Sequence, residues 1–495
     1  MKKVLRGIVI VALVLVTLFS LTACNKYKWG PVGGAEDADK DVVSNGSLAV
    51  QQGKYLYFVN NVADDSSLTK SDNEFGANGV NGAIMKSKIN DDGTLECLGV
   101  VVPKMFVSDY ANAGIYVYGE WIYYVARSQQ TDNKGNLLSS LEFMRTTVDG
   151  TKTQSIAVVE DLGTNYIFTK TGLLYTINAE IHYVDCTAKK FPDTTVVTEY
   201  TDLEVSKEDL CMFYTKASDN EYVSANNLGV VLSDGSNKVI VSEGAYAPEN
   251  VDYKTNLSYQ YSLAIIGYNA ADNSIYYTKT CNDTNAAVST VGYVIPEDYS
   301  FNKNEVKYAN SALSTVYSLG VNVGLVDVSG TTLVAYAPMA DTDIMEKKSE
   351  ELTVTSAITI LYQEDGYTYY LMSSLLYRSD LFKNGTINPN AYEEKISEVK
   401  ISVKYQNPSK LGDYLYYESS DDATYLYRLK ISTYTSETQA YLKGYIVSGY
   451  KTYEYPEDAD YVINKDDESI KDKVPAYMTE TDLETYISNH KTTNE

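Results

Sequence analysis

Residues 121–128 read WIYYVARS, and close relatives of this stretch recur along the chain: KYLYFVN from Lys54, NSIYYTK from Asn273, GYTYYLM from Gly366 and DYLYYES from Asp413. Successive side chains of a strand point to opposite faces, so Ile122 and Tyr124 share one face while Trp121 and Tyr123 share the other. Both faces are therefore apolar or aromatic. A sheet with one wet face would alternate such residues with polar ones, whereas a sheet covered on both sides by its neighbours needs rings on both. Each buried tyrosine removes roughly 150–250 Å² from water, and its hydroxyl must still find a partner.

Working outward, short runs of Tyr, Val, Ile and Thr alternate with Gly, Asp and Asn turns from about Ser47, and helical periodicity is nearly absent. The chain reads as all-β. Aromatic or aliphatic marker strands near Tyr55, Trp121, Leu173, Leu228, Ser274, Thr332, Tyr367 and Tyr414 recur at intervals scattered around the length that four short strands and their turns occupy. Several markers lead into a second strand and a tight turn, as in AIMKSKINDDGTLECLGV and LEFMRTTVDGTKTQSIAVV. Two of these turns, Asp92-Gly93 and Asp149-Gly150, place glycine where a hairpin demands positive φ. The expected fold is a β-propeller of seven or eight four-stranded blades.

The strands SIYYTK and WIYYVA resemble the YWTD strand of low-density-lipoprotein-receptor-type propellers. Joined to second strands such as IMKSKINDDGT, they resemble more closely the Tyr-rich propeller domains of unknown function in lipoproteins of Gram-positive bacteria. That resemblance spans roughly residues 47–445, with degenerate copies and no Trp-Thr-Asp retained. TolB-like propellers share the Asp-Gly turn and offer the same architecture.

The N-terminus supplies an address. MKKVLRG precedes an apolar run of 16 residues, IVIVALVLVTLFSLTA, which is short for a membrane span of about 20 residues and has the layout of an export signal. Leu21-Thr22-Ala23-Cys24 is similar to the lipobox of bacterial lipoproteins, which implies cleavage before Cys24 and a diacylglycerol on its sulfur. An uncleaved signal anchor is the alternative, and both put the body on the extracytoplasmic face of the cell membrane. The expected organisation is a signal peptide at 1–23, a flexible acidic spacer at 24–46 behind lipidated Cys24, a propeller at 47–445, and an acidic, largely disordered tail at 446–495, in which Glu480–Asn489 suits one short helix.

Charge and composition exclude several function classes. The net charge is −25, and removing Lys2, Lys3 and Arg6 with the signal takes it to −28, which opposes nucleic acid and anionic head groups. Tyrosine is the compositional outlier, with 47 residues against 10 Phe and 2 Trp. Beyond Cys24 the cysteines Cys97, Cys186, Cys211 and Cys281 are far apart and form no C-x-x-C pair, so they read as buried thiols or as a disulfide of unspecified pairing.

Catalytic signatures are sparse. With two histidines, a Ser-His-Asp triad would have to use His182 in EIHYVDC, and no G-x-S-x-G elbow accompanies it. His182 reads as a structural or surface residue. FGANGVNG at Phe75–Gly82 reads as a loop rather than a phosphate cradle. Asp132-Asn133-Lys134-Gly135-Asn136 resembles the start of a calcium loop, but Lys134 sits at a ligand position and Glu142 arrives early, so a plain turn is expected; Asp91-Asp92 and Asp421-Asp422 read as turns too. Trp121 and Tyr118 suit sugar stacking if exposed and core packing if not. No catalytic, cofactor or metal site is assigned, and no cofactor is expected.

The functional expectation is a membrane-tethered, non-enzymatic binding or scaffolding module for a protein, peptide or glycan. A glycan-active hydrolase or lyase built on a carboxylate pair, and a structural component of envelope assembly, are the alternatives.

Overall fold

The structure, a computed structural model, describes residues 32–437 apart from short breaks and the longer segments 61–82, 106–113, 218–225, 243–260, 282–289, 295–304, 309–315 and 319–324. Cys24, the signal, the C-terminal tail, Phe75–Gly82 and Asp422 therefore lie outside the described residues. Every regular element among the described residues is a strand.

The strands form antiparallel meanders in chain order. Residues 42–102 make a five-stranded sheet, and residues 116–159, 166–197 and 200–242 make one four-stranded sheet each. An eight-stranded sheet joins two further meanders, 261–308 and 316–353, through a parallel pairing of Glu305–Tyr308 with Ile344–Thr353. A second eight-stranded sheet joins 358–402 to 409–437 by antiparallel pairing of Glu393–Ser402 with Tyr414–Ser419. The all-β reading and the four-stranded antiparallel sheets hold.

The strand Trp121–Arg127 tests the reading of its two faces. Ile122 and Tyr124 enter a core shared with the 42–102 sheet, whereas Tyr123 and Val125 enter a different core shared with the 166–197 and 200–242 sheets, and Trp121 packs against it. Tyr414–Ser419 repeats the pattern: Leu415 and Tyr417 face the 358–402 meander, while Tyr416 joins the core of the 42–102 sheet. Consecutive sheets thus sandwich one another, and the last described meander packs on the first. Ser44 Oγ donates to the Lys410 carbonyl at 3.2 Å, and Arg428 donates to the Gly93 carbonyl at 3.2 Å. Inner strands also converge, with Ala49–Gln52, the second strand of its sheet, beside both Tyr116–Tyr118 and Ser409–Leu411, the first strands of their meanders. The arrangement is propeller-like, with these three strands at a hub.

Both expected Asp-Gly turns close hairpins, with φ of +80° at Gly93 and +75° at Gly150. A third, Asp234-Gly235, occupies the same place in the 200–242 sheet. In all three the aspartate Oδ1 accepts from the amide and hydroxyl two residues on: Thr94 at 2.9 and 2.6 Å, Thr151 at 3.0 and 2.7 Å, Ser236 at 2.9 and 2.6 Å. The unit is therefore Asp-Gly-Ser/Thr, an Asx-type closure of a hairpin. The Thr94 hydroxyl and amide hold Asp92 below the usual carboxylate range.

The markers differ in strand rank. Leu228 and Thr332 lie on third strands, because the second strands of their meanders are Cys211–Ala217 and Leu325–Ser329. CMFYTKA is the aromatic strand in the first case, and its Met212-Phe213-Tyr214 core is buried on both faces. Period-two burial identifies a covered strand without identifying its rank in the sheet.

Part of the expected spacer packs on the body. Val32 is 5% exposed and its amide donates to the Asp149 carbonyl at 2.9 Å. Lys86, fully buried, donates to the carbonyls of Gly34 and Val148 and lies 4.9 Å from the Tyr55 ring centroid. Burial pulls its amine down to about 8, against the opposing influence of Asp149. Tyr57, on the same strand as Tyr55, is also fully buried, and its hydroxyl has no hydrogen-bond partner among the described residues. A buried, unpaired hydroxyl costs about 1–3 kcal/mol. Tyr57→Phe is accordingly expected to be at least as stable as the parent in urea unfolding; a clear loss would mean the hydroxyl is satisfied.

Candidate functional site

Residues 40–47 run into the hub, where Ala49–Gln52, Tyr116–Tyr118 and Ser409–Leu411 meet. Ser44 adopts φ +63° and Gly46 φ +79°, bends in a segment that meets three separate parts of the body. Asn45 presents its amide to the inner edge of Tyr116–Tyr118: its Oδ1 accepts from the Val117 amide at 2.8 Å and its Nδ2 donates to the Val117 carbonyl at 3.3 Å. One side chain thereby satisfies a donor and an acceptor that a strand edge would leave open. Gly46 donates to Ile115 at 2.7 Å, Ile115 donates to Ser47 at 2.9 Å, and Lys207 Nζ donates to the Gly46 carbonyl at 3.0 Å. With the Ser44–Lys410 bond, this segment ties together the sheets containing Val117, Lys207 and Lys410.

Beside the segment lies a cleft of about 860 Å³. Its walls come from residues 40–47, from the turns that follow the first strands of the 116–159, 166–197 and 200–242 sheets, and from Tyr362 and Lys410 near the chain's other end. Tyr118 forms part of the wall, with its hydroxyl donating to the Phe168 carbonyl at 2.8 Å and burial raising its phenol well above the ordinary tyrosine range. The turn carrying Lys170 is pinned because Thr169 and Thr171 both donate to the Ser233 carbonyl, at 2.7 and 3.0 Å. Lys410 pairs with Glu364 and lies 5.3 Å from the Tyr362 ring, which stacks on Tyr369 at 4.5 Å. Among the described residues the ionisable aliphatic side chains of this lining are Lys40, Lys170, Lys207, Lys410 and Asp41.

The residues weighed in the sequence fall elsewhere, except Tyr118. His182, on Glu180–Asp185, stacks on Tyr175 with ring centroids 4.9 Å apart. Its Nδ1 lies 3.2 Å from Asp193 and its Nε2 3.2 Å from Glu180, so both ring nitrogens already face carboxylates. Tyr175 completes the cross-strand network by donating to Asp193 at 2.6 Å. This is a histidine built into a sheet, with each ring nitrogen turned to a carboxylate rather than to a hydroxyl or thiol. Trp121 is covered by the Arg145 guanidinium at 4.3 Å and the Lys152 amine at 5.3 Å, so its ring is a cation platform within the fold. Asp132 and Gly135 form a turn closed by a 3.0 Å backbone bond, with Asp132 Oδ1 accepting from the Lys134 amide; Glu142 belongs to Leu141–Thr147. Asp92 serves its hairpin, and Asp421 pairs with Lys400 at 2.8 Å.

Cys186 and Cys211 are buried thiols; burial pushes Cys186 up to about 12 despite the nearby Arg145. Cys97 lies on Leu95–Val102, and Cys281 ends Ser274–Cys281. The hub lysines went unremarked in the sequence because nothing local separates them from the other lysines.

No family model matches the chain, and no curated protein matches it. Among solved structures it is similar to apo AztD from Citrobacter koseri, with 8% identity over 72% of this chain and 91% of that one and a TM-score of 0.38. It is also similar to dipeptidyl peptidase 4 from Porphyromonas gingivalis (11% identity, 83% of this chain and 61% of that one, TM-score 0.40). A third is a putative 6-phosphogluconolactonase from Bacteroides fragilis (9% identity, 78% and 94%, TM-score 0.34). At these identities and scores the likenesses carry no functional conclusion.

Proposed function

We propose that the chain is a lipid-anchored, extracytoplasmic β-propeller that acts as a non-enzymatic binding or scaffolding module, with its ligand surface at the hub cleft. Counting each meander among the described residues as a blade would give eight, within the range of seven or eight expected from the sequence. The observation that carries the reading is the cleft itself: turns from several sheets, far apart in sequence, converge on one concavity large enough for a ligand. A hydrolase or lyase working through paired carboxylates is less well supported, because the described lining contributes one carboxylate, Asp41.

Full-length protein purified in detergent, incubated with envelope extract, is expected to retain a protein, peptide or glycan without altering it. Turnover of a polysaccharide in the same mixture would reverse the choice between binder and enzyme. For the anchor, Leu21 to Cys24 support lipidation and retention at the cell membrane. Cys24→Ala is expected to release the protein into the medium or leave its precursor uncut. Unchanged processing and membrane retention would remove the lipid from the proposal.

A further inference from the structure

The hub cleft is opposite in charge to the chain that builds it. The sequence holds 66 acidic residues against 41 basic ones, yet among the described residues the cleft gathers Lys40, Lys170, Lys207 and Lys410 around one aspartate, Asp41. The four lysines arrive from different places: the segment entering the hub, the pinned Thr169–Thr171 turn, the end of the 200–242 sheet's first strand, and the Ser409–Leu411 strand. Like charges lining a concavity repel one another, and low-dielectric walls focus the resulting potential toward the opening. Glu364 pairs with Lys410, and Lys207 donates to the Gly46 carbonyl among its contacts. A multiply charged anion is the complement of that arrangement.

We propose that the cleft binds a compact polyanion, a molecule bearing two or more carboxylate or phosphate groups, with Lys40, Lys170, Lys207 and Lys410 as its charge partners. This rests on the binding-module reading and gives it a ligand chemistry. Size and charge favour a small ligand: about 860 Å³ matches a small-molecule site, and a chain of net charge −25 repels extended polyanions that cannot fit inside. Lysines are point charges on flexible stems, so they accept phosphate or carboxylate without the fixed fork that arginine would impose. The Tyr118 and Tyr362 rings supply firm walls between them.

The test is calorimetric titration of the full-length protein in uncharged detergent with tripolyphosphate, with citrate, and with maltotetraose as a neutral control. At low salt one or both anions bind and the neutral sugar does not, and added salt weakens the anion. Lys170→Gln and Lys40→Gln are each expected to weaken anion binding about tenfold, the loss of one charge-assisted contact. Both residues are exposed, so their replacement leaves folding intact, which an unchanged melting temperature verifies. Preference for tripolyphosphate or citrate identifies the group recognised. Anions that bind no better than maltotetraose, or lysine variants that both bind like the parent, overturn the proposal. If an envelope extract yields a partner while both anions fail, the polyanion inference falls alone; if an anion binds and a polysaccharide is turned over, the non-enzymatic reading falls instead.

Discussion

Phe143→Ala is expected to destabilise the protein by about 3–5 kcal/mol, the cost of deleting a buried ring and leaving a cavity. Phe143 is fully buried on Leu141–Thr147 and bridges two sheets: its ring lies 5.1 Å from Tyr166, 5.9 Å from Phe168 and 6.0 Å from Tyr175. Two of these contacts are edge-to-face, the geometry that aromatic quadrupoles prefer. All three partners belong to the neighbouring 166–197 sheet, so the mutation attacks the sheet-on-sheet interface rather than one hairpin. Phe143→Leu keeps most of the volume and should lose much less. Urea unfolding followed by tyrosine fluorescence measures both variants. A loss under about 1 kcal/mol for the alanine variant would show that these sheets do not depend on a shared core.

Gly114→Ala is expected to displace the hub segment, with a stability loss of about 1–3 kcal/mol or more. A Cβ at Gly114 would lie 2.3 Å from the Gly46 carbonyl oxygen, 2.4 Å from its carbon and 2.9 Å from its Cα. Those atoms are backbone and have no rotamer in which to escape. The segment must move, which breaks the Gly46–Ile115 and Ser47–Ile115 bonds and draws Asn45 away from Val117. Faster hydrogen exchange at Val117 and Ile115 is therefore the specific signature. Gly33→Ala is the control, since a Cβ there meets nothing within 4 Å. Unchanged protection at Val117 in the Gly114 variant would mean that residues 40–47 are not seated on this strand.

Much of the architecture was legible because its signals are local. The Tyr123-Tyr124 doublet announces a strand covered on both sides, and its two rings do enter different cores. Asp92-Gly93 and Asp149-Gly150 announce hairpins, because glycine accommodates positive φ and the aspartate closes the turn with its own carboxylate. Strand rank was less legible. A valine-rich third strand such as Asn226–Val231 is as well covered as the aromatic second strand beside it, so Leu228 stood in for Met212-Phe213-Tyr214.

The hub was not legible. Gly- and Asp-rich composition made residues 24–46 resemble a tether, yet the part entering the hub is held by partners that no local pattern reveals. Ser44 meets Lys410 across 366 residues, and Lys207 meets Gly46 across 161. Lysines in a sequence of this acidity read individually as solvated surface charges, and only their convergence distinguishes Lys40, Lys170, Lys207 and Lys410.

The sequence by itself determined that this chain makes short antiparallel strands, covers them on both faces and turns them with Asp-Gly pairs, because side-chain alternation and turn dihedrals are settled within a few residues. Tertiary structure alone decided which segment enters the hub and which charges meet there. Those outcomes depend on the last described sheet packing against the first, a long-range condition carried by many distant contacts together and by no single stretch of residues.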